Sequence, residues 1–136
     1  MSVTVCLFAN TISYPEGGGH LWVYLNWALG LRALGCRVLW MEGVSVPPGT
    51  PAPAVQARVA ALKGRLNRYG LAEAIALWSW SGKPLPRAAT EECLDLEAAA
   101  TADLLLNFEY FLPEAVVGRF KRSALVDIDP ACYRYG

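Results

Sequence analysis

Apolar and polar positions along this chain fall into segments of different period. Residues 3–9 are β-branched and apolar without strict alternation, the pattern of a central strand covered on both faces. Residues 10–19 (NTISYPEGGG) are turn formers and predict a loop. Residues 20–34 are apolar at nearly every position, so a helix buried most of the way round is expected, ending at Gly35. Residues 37–42 (RVLWME) predict a second short strand, and residues 43–53, with four prolines and two glycines, a loop.

The next segment changes period. Val55, Val59, Leu62, Leu66 and Tyr69 recur at helical spacing and predict an amphipathic helix over residues 54–69, ended by Gly70. Arg58, Lys63, Arg65 and Arg68 occupy the rest of its surface, as on a solvated helix face. Residues 74–78 (AIALW) predict a third strand and residues 79–87 a loop. Thr90 can cap a helix running to about Thr101, with Glu91, Glu92 and Asp95 near its positive end. Residues 103–107 (DLLLN) predict a fourth strand. Pro113 then suits the first turn of a short helix that ends in basic Arg119, Lys121 and Arg122. Residues 124–128 (ALVDI) predict a fifth strand, closed by Asp129 and Pro130.

Strands alternating with helices imply an α/β fold: one open, doubly wound, Rossmann-like three-layer sandwich. Its mainly parallel five-stranded sheet is expected in the order 3-2-1-4-5. The 136 residues suit a single domain. Apolar residues make up 54% and charged residues 18%, which fits strands buried on both faces or apolar surface that meets a partner. No covering helix follows the fifth strand in the sequence, so that edge is expected to be exposed, cut short or completed by a partner.

Charge and cysteine content narrow the function classes. Twelve basic and twelve acidic residues cancel, which gives no support to a nucleic-acid partner. Cys6, Cys36, Cys93 and Cys132 are widely spaced and the chain holds one histidine. Reduced cysteines in a cytoplasmic protein are expected, and no metal site. The opening MSVTVCLFAN lacks a basic leader, and no apolar run is long enough to span a membrane.

In such sheets ligands bind beyond the carboxyl ends of the strands, at the point where strand order reverses. That rule selects residues 10–20, Glu42, Ser79, residues 107–111 and residues 127–129. Gly17, Gly18 and Gly19 stand at a helix N-terminus, where unpaired N–H groups favour an anion such as a diphosphate, or they only shape a tight turn. The run is not a Walker loop and lacks the dinucleotide fingerprint. Glu42, where a ribose-binding acid could lie, is the one feature that points to a dinucleotide enzyme.

His20 lies in the first helical turn. Kept neutral by the helix N-terminus, it could take a proton from an acceptor hydroxyl, or it only caps or packs. Asp127 or Asp129 could orient His20 or bind a sugar hydroxyl, or they belong to a strand-end turn. The Asn107 amide could bind a ligand or cap loop backbone. Trp78, Trp80, Tyr110 and Phe111 could make an acceptor platform or simply pack.

Residues 10–42, NTISYPEGGGHLWVYLNWALGLRALGCRVLWME, resemble the first strand–helix–strand unit of GT-B glycosyltransferases. In those enzymes a loop ending in Gly-His opens a long apolar helix, and an LxxLGxxV passage, here residues 31–38, leads into the second strand. ADLLLNFEYFLPE (residues 102–114) and ALVDIDP (residues 124–130) look like the later strand ends of such N-terminal domains.

The resemblance implies an acceptor-side domain that transfers a sugar from a nucleotide-sugar co-substrate to a hydroxyl acceptor. It implies no other cofactor and no metal. His20 would be the catalytic base, assisted by Asp127. Gly17, Gly18 and Gly19 would meet the donor phosphates, and Asn10, Asn107 and Asp129 would lie among the substrate contacts. The C-terminal donor-binding domain of that family is not in this sequence, so activity would require such a domain. Two other readings stand beside this one: a non-catalytic module that self-associates or binds a partner, and a nucleotide-binding enzyme of another class.

Overall fold

The computed structural model of the chain describes residues 2–12, 18–109 and 111–127, with residues 18–20 described by backbone alone. Five parallel strands form one sheet: β1 (Thr4–Ala9), β2 (Arg37–Val44), β3 (Ile75–Ser79), β4 (Leu104–Asn107) and β5 (Ser123–Leu125). The order is β3-β2-β1-β4-β5, as the alternation of elements predicts. β1 is central because its residues are buried on both faces. Val5, Leu7 and Ala9 enter one core, and Cys6 and Phe8 the other.

The first core lies under α1 (Gly18–Ala33) and α2 (Ala52–Asn67). Val55, Val59, Leu62 and Leu66 of α2 are all buried, as their spacing requires. Tyr69 lies just beyond the helix and packs against the core from its edge. Arg58 and Lys63 donate to the carbonyls of Ser45 and Glu91, so this basic face braces neighbouring loops. α1 ends where Gly35, at φ 93°, takes the left-handed conformation that turns the chain into β2. No helix among the described residues is long and apolar enough to cross a membrane. α1 nevertheless leaves Trp22 and Trp27 exposed, as is Leu34 just beyond its end.

α3 (Arg87–Thr90) adds Ala89 to the first core beside α2, and the second core is covered by two short helices, α4 (Leu96–Ala99) and α5 (Glu114–Val117). Here the structure departs from the expected helix from Thr90 to Thr101. Thr90 ends α3, Asp95 caps α4 through Ala98 N–H at 2.8 Å, and Leu94 between them is extended. Leu94 exchanges two backbone hydrogen bonds with β3, from Leu77 N–H and to Ile75 C=O, both 2.9 Å. The open edge of β3 would otherwise leave these groups unpaired, and that demand outweighs local helix propensity.

β2 runs two residues further than expected, because Gly43 and Val44 pair with Trp78 and Ser79 of β3. β5 is shorter than expected and exposed along its length, and Asp127 lies two residues past its end. Asp103 closes the opposite end of the sheet. Its carboxylate accepts from Thr4 N–H and its own N–H donates to Thr4 C=O, each at 2.8 Å.

Cys6, Cys36 and Cys93 are free thiols. Burial pushes the Cys6 thiol up to about 12, so it holds almost no thiolate at neutral pH. Iodoacetamide is expected to label Cys93, which is partly exposed, and to leave Cys6 untouched until the protein unfolds. Mass spectrometry of the native and denatured protein would check this, and rapid native labelling of Cys6 would contradict the burial.

Candidate functional site

Where β1 ends, the chain leaves the sheet and its next N–H groups lose their ladder partners. The side chain of Glu42 replaces them. Alternation along β2 sends Trp40, Glu42 and Val44 to the α1 face, and Glu42 is fully buried there. Its Oε1 accepts from Thr11 N–H at 2.7 Å and Ile12 N–H at 3.0 Å. Its Oε2 accepts from the Trp40 indole at 2.9 Å and from the Thr11 hydroxyl. Burial raises the Glu42 carboxyl above its ordinary range, and the hydrogen bonds from Thr11, Trp40 and Ile12 pull it partly back.

This arrangement excludes a ribose-binding role for Glu42. Both its oxygens are occupied and none of its surface is exposed. The carboxylate instead fixes the start of the loop that leads from β1 to α1.

On the β4 side, Tyr24, Asn107 and Glu109 lie near the start of this loop. Tyr24, in the second turn of α1, is buried among Trp40 and Phe108, with edge-to-face ring contacts at 6.1 and 5.3 Å. Its hydroxyl donates to Glu109 Oε1 at 3.3 Å and meets the Asn10 backbone N–H. Burial and the nearby Glu109 charge push the phenol above its ordinary value, so it stays a neutral donor. Asn107 Oδ1 accepts from Glu109 N–H at 2.9 Å, so this amide caps the loop after β4. Tyr24 therefore brings the start of α1 over the β1–β4 switch point. His20 is one turn earlier in the same helix, and Gly18 and Gly19 open it.

On the opposite face of the same sheet edge, Trp80 packs over Gly43. It makes edge-to-face contacts with Phe8 at 5.9 Å and Trp78 at 4.6 Å. Trp78 and Trp80 thus form a pair, whereas Phe111 projects into solvent at 80% exposure and is not part of it. Asn10 is half-buried at the loop start, and Asp127 is exposed beyond β5. Gly17, Tyr110 and Asp129 lie outside the described residues.

Thr11, Tyr24 and Glu109 escape a reading by motif. Tyr24 sits in an apolar helical run that signals only burial. Among the described residues no three His, Cys, Asp or Glu side chains are grouped to hold a metal. Comparison with protein-family models, with curated proteins and with solved structures gives no match to this chain.

Proposed function

We propose that this chain is an acceptor-side domain of a glycosyltransferase of the GT-B kind, working with a donor-binding domain. The observation that carries this reading is the junction of β1 and α1. A helix of 16 residues follows the central strand of a parallel sheet, and a buried carboxylate holds Thr11 and Ile12 where the chain leaves that strand. An anion set there meets the unpaired N–H groups of the first helical turn.

In this reading the diphosphate of a nucleotide-sugar lies against Gly17, Gly18 and Gly19. The acceptor hydroxyl lies on the side of Asn10 and Asn107, with Asp129 among its contacts. The hydroxyl oxygen attacks the anomeric carbon, and the bond from that carbon to the diphosphate oxygen breaks. The hydroxyl proton passes to His20, oriented by Asp127, and the nucleoside diphosphate leaves. Orientation and electrostatics supply most of the acceleration.

Titration with UDP-, GDP- and dTDP-sugars, beside NAD, tests the reading. Backbone amide resonances of residues 18–20 are expected to shift saturably with a nucleotide-sugar and to be unmoved by NAD. Binding of NAD alone would favour a nucleotide enzyme of another class and end this proposal.

A further inference from the structure

A second candidate site lies two strands away from the switch point, on the outer edge of β3. Leu94 pairs with this edge for one step only, between Ile75 and Leu77. In a parallel ladder alternate residues direct their N–H and C=O groups to the same side. Ile75 and Leu77 face Leu94, whereas Trp78 pairs inward with Gly43 of β2. The next outward groups are therefore Leu77 C=O and Ser79 N–H. Leu94 has turned away toward α4 before reaching them, and no hydrogen bond among the described residues takes them up.

These groups open into a cavity of about 480 Å³, of which Leu77, Trp78 and Ser79 form one wall. That volume is within the range that holds a small organic ligand. The facing walls are residues 82–85, Thr90 and residues 93–96. Glu92, in the chain between the lining residues Thr90 and Cys93, holds φ at 64°, a left-handed conformation that costs a non-glycine residue energy.

The polar groups decide the ligand class. Lys83 lines the cavity and makes no ion pair among the described residues. Asp95 also lines it. One of its oxygens caps Ala98 N–H, which leaves Oδ2 open. One cation and one anion cancel, so neither an anionic nor a cationic ligand is selected. The open groups alternate in kind: Ser79 N–H and Lys83 donate, Leu77 C=O and Asp95 Oδ2 accept. A hydroxyl both donates and accepts, so a ring bearing several hydroxyls satisfies such a set. The apolar surface beside them, from Trp78 and Leu85, suits the C–H face of that ring.

We propose that this cavity is a binding site for a neutral saccharide. This binding is separate from the function proposed above, whose acceptor hydroxyl lies at Asn10 and Asn107, at least two strands away. The probes are glucose, maltose and N-acetylglucosamine, titrated without nucleotide into the intact chain and followed by amide and indole resonances. At least one is expected to shift the Ser79 amide and the Trp78 indole saturably, and to slow iodoacetamide labelling of Cys93, which also lines the cavity.

Lys83→Met and Asp95→Asn are each expected to weaken that binding about tenfold, the loss of one charge-assisted hydrogen bond. Asparagine keeps the cap on α4, so the fold is retained in that variant. The proposal is overturned if none of the sugars moves Ser79 at millimolar concentration. It is equally overturned if both variants bind like the parent, or if phosphate or acetate alone produces the same shifts. Nucleotide-sugar binding is read at residues 18–20 and this site at residues 77–95, so either proposal can fail without the other.

Discussion

Replacing Glu42 with alanine is expected to lower the free energy of unfolding by about 3–5 kcal/mol, the largest loss for any single side chain discussed here. Four donors converge on this carboxylate: two backbone N–H groups, an indole and a hydroxyl. Truncation leaves them buried without partners, and each such group costs about 1–3 kcal/mol unless water reaches it. Glu42→Gln should cost less, about 1–3 kcal/mol. Its remaining oxygen can still accept from Thr11 and Ile12, but its amide nitrogen would face the Trp40 N–H, donor against donor. Urea denaturation gives the magnitudes, and hydrogen exchange at Thr11 and Ile12 gives the location. An alanine variant as stable as the parent, with those amides still protected, would show that the clamp does not hold the loop.

The same carboxyl has a signature in pH. Its folded-state pKa is raised, chiefly by burial. Folding therefore favours the protonated form. The contribution from this group is fully present below the ordinary carboxylate range and is lost as pH rises through the folded value, after which it is level. Glu42→Gln carries no such titration, so the gap in stability between parent and variant should change between the ordinary carboxylate range and the raised folded value, and stay constant above it.

Gly43→Ala is expected to cost about 1–3 kcal/mol by overpacking and to disturb the aromatic cluster. A Cβ at this position would fall 2.6 Å from Trp80 Cε2, closer than any real contact. Trp80 cannot swing away freely, because its ring is set against Phe8 and Trp78. The coupled indoles make near-ultraviolet circular dichroism the direct readout, with denaturation for the energy. Gly30→Ala in α1 is the control. No atom lies within 4 Å of its added carbon, and a helix gains about 0.5–1 kcal/mol from that exchange. Equal behaviour of the two variants would contradict the close approach of Trp80 to β2.

Both residues act on the carboxyl edge of the sheet from opposite faces. Glu42 holds the start of the β1–α1 loop at Thr11 and Ile12, while Gly43 admits the indole that roofs the other face. A change in Glu42 would therefore reach Thr11 and Ile12 beyond β1, and a change in Gly43 would reach Trp78 through Trp80.

The amino-acid sequence by itself determined the architecture. Doubly apolar strands, the helical repeat of Val55, Val59, Leu62 and Leu66, and the stop at Gly35 are local patterns with one physical solution each, and together they specify the strand order. Residues 90–101 show the limit of that logic: a capping threonine and following acids favour a helix, yet Leu94 is extended because an open strand edge beside it needs partners. The roles of Glu42, Gly43 and Tyr24 were decided only by the tertiary structure. A buried carboxylate answers a donor residue 31 positions away in the chain, a missing Cβ answers an indole just past the neighbouring strand, and Tyr24 reaches a carboxylate 85 residues on. Such pairings leave no periodic trace, since they depend on which unpaired group the folded chain brings within hydrogen-bond or van der Waals reach.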